Sequence, residues 1–231
     1  MGIIDFLKTK GLDEALAQKY ERLVSLTLDW NEKINVTAVK DPSEFMEKNI
    51  IDSLTLIGRP ELASAERILD LGTGGGYPGL PLAIACPDKE FVLADAVGKK
   101  LKVIDSICEE LGVANVTTVH MRAEDMARDA GFRERFDLVL SRAVASMPVL
   151  CEYCVPFVKI GGHFTAYKTD AAREEIQLAA KALSVLGAKE PVIVPDGIEG
   201  SGHVFAICEK IQTTPKAYPR KAGTPSAKPL I

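Results

Sequence analysis

The feature that most constrains this chain is a short apolar run, Arg67-Ile-Leu-Asp-Leu71, that opens directly into Gly72-Thr-Gly74-Gly75-Gly76-Tyr77-Pro78-Gly79. A short apolar run bounded by turn residues reads as a buried strand. The glycines let the chain turn sharply and let a ligand approach the backbone. From Pro78 to Ala85 the sequence reads as a helix with proline in its first turn, where its missing N–H costs nothing. Strand, glycine turn and helix open a βαβ unit, and in an open α/β sheet the ligand sits beyond the carboxyl end of such a strand.

The pattern repeats downstream. Glu90–Ala94 reads as a strand ending at Asp95. Lys99–Leu111 reads as a helix with Leu101, Ile104, Cys108 and Leu111 on one face and Gly112 as its cap. Strands follow at 116–120, 136–140 and 162–167, separated by helices at about 123–130 and 147–158, and a helix at 171–186 comes after the last of them. Two strands at 192–194 and 203–208 close the series. Only the turn-rich Pro195–Gly202 joins the last two, so they must pair antiparallel. This predicts a Rossmann-like α/β fold over residues 61–210, with a seven-stranded, mostly parallel sheet and an antiparallel final strand.

Residues 1–60 read as a helical cap. Leu12, Leu16, Tyr20, Leu23, Thr27 and Trp30 recur at helical spacing, and Phe45 to Ile57 continues as a second helix after Pro42-Ser43. Residues 211–231 form a Pro-rich tail. The net charge is −4, yet Lys210, Lys216, Arg220, Lys221 and Lys228 meet no acid up to the C-terminus. A basic tail on an acidic body is read either as a contact for an anionic partner or as a solvated terminus.

The 5 cysteines show no disulfide spacing. Cys151-Glu-Tyr-Cys154 has neither a second CxxC nor a nearby histidine, so no metal is expected and the pair reads as two small apolar side chains on one helix face. The first residues, Met1-Gly-Ile-Ile-Asp-Phe6, do not read as a signal peptide and no apolar run is long enough to span a membrane, so a cytoplasmic protein is expected.

Two cofactors compete for the glycine loop. Gly74-Gly-Gly-Tyr-Pro-Gly79, with Asp95 downstream, satisfies the dinucleotide fingerprint G-x-G-x-x-G. Asp70 and Gly72 argue against it: a carboxylate at the strand end repels a pyrophosphate but suits S-adenosylmethionine, which carries a sulfonium and an ammonium group. Asp70-x-Gly72-x-Gly74-x-Gly76 resembles the first motif of class I methyltransferases. Asp95 would then hold the ribose hydroxyls through charge-assisted hydrogen bonds, or else cap the following helix. Glu124 or Asp125, after the third strand, would meet the adenine amino group or sit as first-turn acids on a helix dipole.

The end of the fourth strand, Ser141-Arg142-Ala143-Val144, faces the methyl group in this fold. It lacks the Asn/Asp-Pro-Pro-aromatic run of exocyclic-amine methylation, and no cysteine stands at a strand end for attack on a pyrimidine. A target that is already nucleophilic remains, such as a ring nitrogen like guanine N7. Its methylation requires no prior proton loss, so positioning and charge suffice and no general base is assigned.

Several segments together resemble the RsmG (GidB) family of small-subunit (16S) ribosomal RNA guanine-N7 methyltransferases. Trp30-Asn-Glu-Lys-Ile-Asn-Val-Thr37 is similar to its W-N-x-x-x-N-L-T, and Asp52-Ser-Leu54 to its D-S-L. Leu69–Leu82 matches its glycine loop with the aromatic-Pro-Gly, Ser141-Arg-Ala143 its S-R-A, and Tyr218-Pro-Arg220 with Gly223 its Y-P-R-x-x-G. Two positions depart: Asn49 stands where the family usually has His, and Asp95-Ala-Val-Gly-Lys99-Lys100 where it has D-S-x-x-K-R. The resemblance implies that Gly72 and Tyr77 line the cofactor and that Ala123 and Glu124 meet its adenine. Arg142 would face the cofactor carboxylate or the RNA, while Lys168, Lys216, Arg220 and Lys221 would contact phosphates. Ribosomal RNA or the small subunit is the implied partner of a monomeric enzyme. The alternative is a small-molecule S-adenosylmethionine-dependent methyltransferase, which leaves the basic tail and helical cap unexplained.

Overall fold

The computed structural model describes residues 2–231. The N-terminal segment is helical: α1 (Ile3–Thr9), α2 (Leu16–Asn31), α3 (Pro42–Phe45), a π-helical turn at Met46–Ile51, α4 (Asp52–Leu54) and α5 (Pro60–Ala63). The alternating part follows as β1 (Arg67–Leu71), α6 (Gly79–Ala85), β2 (Glu90–Asp95), α7 (Gly98–Leu111), β3 (Val116–His120), α8 (Ala123–Met126), β4 (Phe136–Arg142) and α9 (Met147–Cys154). Then come β5 (Val158–Thr169), α10 (Arg173–Gln177), α11 (Ala180–Leu186), β6 (Val192–Pro195), β7 (His203–Glu209) and α12 (Thr224–Ala227).

The seven strands form one sheet in the order β3-β2-β1-β4-β5-β7-β6. β7 inserts between β5 and β6 and runs antiparallel to both, and the pairs from β3 through β5 are parallel. The expected antiparallel final strand is borne out. Strand order reverses between β1 and β4, and a crevice opens there above the carboxyl ends of both.

Each face of the sheet is covered. On one side α1, α2, α6 and α7 pack Phe6, Tyr20, Leu23, Leu80, Ile104 and Ile107 against Ile68, Phe91 and Leu138. On the other, α8 to α11 pack Met126, Leu150, Ile176 and Leu183 against Leu69, Val139 and Phe164, and Tyr218 and Leu230 of the tail join this layer. The central strands β1, β2 and β4 are therefore buried on both faces, which is why they read as continuous apolar runs, whereas the edge strands β3 and β6 stay partly exposed.

The elements differ from the sequence expectation at several places. The long N-terminal helix begins at Leu16, not near residue 12, and α1 precedes it. The helix expected over 45–57 contains the π-helical turn, and the one expected over 171–186 divides into α10 and α11 at Leu178–Ala179. β5 begins at Val158, where the sequence suggests a helix end. Its first residues are stitched to β7's far end, with Gly161 N–H donating to the Lys210 carbonyl at 2.8 Å, a non-local pairing that local propensity does not encode.

Candidate active site

A cleft of about 500 Å³ lies at the strand-order reversal. The loop after β1 supplies Gly72 to Gly75 and Tyr77, the end of β2 and start of α7 supply Asp95, Ala96 and Lys100, the β3–α8 segment supplies Met121 to Glu124, and the end of β4 supplies Arg142 to Val144. Val36, Thr37 and Asn49 of the N-terminal segment and Tyr153 of α9 complete the wall.

Backbone geometry dictates the loop. Gly72 has φ +73°, and a Cβ there would come within 2.5 Å of Val144 Cγ2. A side chain would therefore be strained and would close the cleft. Gly79 begins α6 over Asp70, and a Cβ would meet the Asp70 Oδ2 at 2.8 Å. The Tyr77–Pro78 peptide between them is cis.

Asp70 does not line the cleft. It is fully buried beneath the loop, where its Oδ2 accepts from the Thr73 hydroxyl at 2.6 Å and from Gly79 N–H at 2.8 Å. The reason is local: the free N–H at the start of α6 draws the carboxylate inward. Burial pushes its pKa up to about 6, against the opposing hydrogen bonds. Gly76 is likewise off the wall, packed on Leu80 and Ile104. These two sequence expectations are corrected from cofactor contacts to loop supports. A pyrophosphate would sit at the helix N-terminus, and here that place is filled by a carboxylate.

Asp95 sits on the wall. Its Oδ2 accepts from Gly74 N–H at 2.9 Å and its Oδ1 from Val97 N–H at 2.8 Å. Asp95 pins the glycine loop and the approach to α7 but is not that helix's cap, which is Val97, and each of its oxygens keeps a lone pair unused. Glu124, 5% exposed, also reaches the wall. Its Oε1 accepts from Gly223 N–H of the tail at 3.1 Å. Met121 and Ala123 beside it offer apolar surface to a flat ring. Volume, ribose acceptor and apolar slot fit S-adenosylmethionine.

The N-terminal motifs prove to build the opposite wall. Asn31 Oδ1 accepts from Val36 N–H at 2.8 Å and Thr37 N–H at 2.9 Å, folding that segment over the loop. Tyr77 is held by its hydroxyl at 2.9 Å from Thr27 Oγ1 and by Phe45 edge-on at 5.3 Å. Arg142 is tied from three sides: Nη1 donates to Asp52 Oδ2 at 2.6 Å and to the Lys48 carbonyl at 3.0 Å, and Nη2 donates to Asn49 Oδ1 at 3.0 Å. The amide that replaces the family's histidine thus contacts Arg142. Asp52 Oδ1 lies 2.7 Å from His203 Nδ1.

Among the described residues, Asp52, Asp196 and His203 are the one group whose carboxylate and imidazole atoms could approach a common ion, all within 4.8 Å of one another. Asp52 is already paired with the Arg142 guanidinium, whose charge opposes a cation there.

The cationic residues divide. Lys168 is committed, donating to Glu175 Oε1 at 2.9 Å and to the Ala145 carbonyl at 3.0 Å. Arg220 is committed as well, to the Glu152 carboxylate at 2.6–3.1 Å and to the Lys228 carbonyl at 2.7 Å. Glu152 is fully buried and needs a counter-charge, so Arg220 is a structural pair and not a free phosphate contact; Lys168, largely buried, already spends its charge on Glu175 and its N–H groups on the Ala145 carbonyl. Lys216 and Lys221 are exposed. Cys151 and Cys154 are fully buried on α9, and burial holds both thiols well above their ordinary pKa, leaving them inert.

The sequence singled out Asn49 without placing it on the wall, and did not assign Val36, Thr37, Lys100, Met121, Val144 and Tyr153 to the site. The motif from Trp30 to Thr37 marked Val36 and Thr37 without saying what they touch.

The GidB family model, described as rRNA small subunit methyltransferase G, matches residues 16–201. This chain belongs to that family. It is 44% identical to the ribosomal RNA small subunit methyltransferase G of Clostridium novyi, over 93% of this chain and 90% of the relative. It is 45% identical to the protein of the same name from Desulfitobacterium hafniense, over 93% and 89%. The fold is shared with the O-methyltransferase TomG of Streptomyces achromogenes, solved with S-adenosylmethionine, at TM-score 0.54 and 18% identity over 82% of this chain and 89% of TomG. It is also shared with the methyltransferase SibL, at TM-score 0.58 and 16% identity, where the match covers 77% of this chain and 60% of SibL. The chain is an S-adenosylmethionine-dependent methyltransferase of small-subunit ribosomal RNA. No helix among the described residues is long and apolar enough to cross a membrane.

Proposed function

We propose that this member of the family methylates N7 of a guanosine in 16S ribosomal RNA. The observation that carries the choice of atom is the make-up of the β4 end. Arg142 is held rigidly by Asp52 and Asn49, and the chain's two nearby thiols are buried behind the sheet. A covalent route through cysteine is closed, and a ring nitrogen with a free lone pair needs none.

S-adenosylmethionine supplies an electrophilic methyl group on a sulfonium centre. The residues of the chain hold and orient. Asp95 receives the ribose hydroxyls, Gly72 and Gly74 present backbone to the ligand, Glu124 and Ala123 meet the adenine, and Tyr77 closes the side of the cleft. Arg142 stands at the junction with the acceptor. A ring-nitrogen acceptor would take the methyl group with its own lone pair and carry the resulting positive charge, so the residues of the chain would have only to hold the acceptor facing the bound cofactor. No proton has to move, so alignment supplies the rate.

The labour divides along the chain. Residues 1–60 form one wall of the cleft, residues 61–210 carry the cofactor site, and residues 211–231 brace Glu124 while offering Lys216 and Lys221 to phosphate. A ribosomal substrate implies a cytoplasmic enzyme.

The test is methyl transfer from labelled S-adenosylmethionine to small-subunit particles and to deproteinised RNA, read by nucleoside mass spectrometry. Labelled 7-methylguanosine is the expected product, and the better substrate shows which form is used. No labelled nucleoside from either, with cofactor bound, would overturn the reading in favour of a small-molecule acceptor.

A further inference from the structure

A second cavity of about 330 Å³ adjoins the cofactor cleft and shares Arg142 and Ala143 with it. It lies over the carboxyl ends of β4 and β5, where an acceptor meets the methyl group. Tyr167 and Phe205 line it, their rings edge to face at 4.9 Å. The wall also carries Asp196, just beyond β6.

Asp196 is 5% exposed, and its two oxygens differ. Oδ1 accepts from Ile198 N–H and from the Ser201 hydroxyl, each at 2.9 Å, which fixes the side chain in one orientation. Oδ2 is buried with no donor. A buried carboxylate oxygen left without a partner is costly, and such an exception calls for a ligand or a function. An oxygen of Asp196 lies within 4.8 Å of an Asp52 oxygen and a His203 ring nitrogen, at the polar end of the cavity. Those neighbours already serve each other and Arg142. Asp196 Oδ2, beneath the cavity surface, is the oxygen of this group left without a donor.

We propose that this cavity receives the target purine with N7 turned toward the cofactor cleft, and that Asp196 accepts hydrogen bonds from N1–H and the 2-amino group on the opposite edge, selecting guanine over adenine. The inference rests on the guanine-N7 reading above and names the residue that enforces it.

The chemistry is that of the two edges. Guanine presents two adjacent donors, N1–H and N2–H, which match an acceptor-only group. Adenine presents a bare N1 lone pair, which a carboxylate oxygen repels. Enzymes that act on a base take it out of the stack and read its Watson–Crick edge by hydrogen bonds in a fitted pocket, which leaves the N7 side free to face the cofactor. Methylation at N7 gives the ring a positive charge and makes N1–H a stronger donor. The bond to Asp196 therefore tightens as the methyl transfers, so Asp196 acts on turnover as well as on binding.

Asp196→Asn is the discriminating variant. The amide oxygen can keep the Ile198 and Ser201 bonds, which leaves the donor NH2 where Oδ2 stood. The probe is small-subunit ribosomal RNA carrying either guanosine or inosine at the nucleotide the wild type methylates, located by mass spectrometry. Inosine keeps N1–H and N7 and lacks only the 2-amino group. The wild type should prefer guanosine to inosine by about tenfold in kcat/KM, and Asp196→Asn should lose on the order of ten- to a hundredfold on guanosine while treating the two substrates nearly alike. Cofactor affinity should be unchanged, which reports that the variant is folded. The proposal is overturned if the wild type methylates inosine as fast as guanosine, a result that needs no variant, or if Asp196→Asn keeps the wild-type preference. A wild type that forms no 7-methylguanosine at all would instead remove the reading on which the inference stands.

Discussion

Asp70 and Asp95 show how differently two carboxylates at neighbouring strand ends are used. Asp95 points to the cleft with both oxygens engaged and capacity to spare, whereas Asp70 points inward and is forced to carry its charge in a dry site. For an acid whose folded pKa is raised from 3.8 to about 6, the folded state binds more protons between those values, so stability rises as pH falls through that window. The full range is on the order of 3 kcal/mol. Asp70→Asn does not titrate, so denaturant midpoints of wild type and variant from pH 7.5 to pH 4 should show the wild type gaining relative to the variant below about pH 6.5. A difference that stays flat across the range would contradict the buried charge. Asp95→Ala removes the ribose acceptors and both backbone anchors, and at ~1.5–3 kcal/mol for each charge-assisted bond the affinity for S-adenosylmethionine should fall at least a hundredfold by calorimetry. Wild-type affinity in that variant would remove the ribose assignment. Asp95 was legible because it stands at a strand end at the expected distance from the glycines. That Asp70 turns away from the ligand was not, since both orientations share one sequence.

At the scale of elements, the strands and the glycine loop follow directly from apolar runs and turn residues, and the register of β1 with β2 and β4 places Asp70 and Asp95 on adjacent strands as expected. The C-terminal tail is the element whose sequence misleads. Prolines and lysines suggest a solvated strand of chain, yet Arg133 donates to the carbonyls of Thr214 and Tyr218, Arg128 donates to that of Pro219, and Arg220 closes on Glu152. Composition reports the cations but not the buried acid 68 residues away that claims one of them. Arg220→Ala leaves Glu152 charged, buried and unpaired, a loss of ~3–5 kcal/mol and a melting temperature lower by about 10 °C. Arg220→Lys should recover only part of this, because one ammonium cannot reproduce the paired guanidinium bonds. The tail also donates Gly223 N–H to Glu124, so the alanine variant should bind S-adenosylmethionine more weakly at temperatures where it is still folded. Full stability by calorimetry would show that the clasp carries no load.

The whole molecule has to bring an RNA of uniform negative charge to a chain whose own net charge is −4. General attraction therefore cannot do it, and local cations must. The sequence offered Arg142, Lys168, Lys216, Arg220 and Lys221, and packing removes Lys168 and Arg220 from that set and ties Arg142 to Asp52. Lys216 and Lys221 remain exposed on the tail, on either side of the Arg220 clasp that fixes their segment to α9. A cation on a braced segment loses less entropy on meeting a phosphate than one on a loose terminus. Each phosphate neutralised releases condensed counterions, so log affinity falls with log salt in proportion to the number of such contacts. Lys216→Ala and Lys221→Ala should each weaken binding to deproteinised small-subunit RNA and flatten the salt dependence by roughly 0.7–0.9 in slope, with the double variant losing about twice that. Cofactor affinity should not change, since neither side chain reaches the cleft. If binding weakens while the slope stays the same, these lysines act on the fold of the tail and not on phosphate, and the RNA must be held by the cleft rim alone.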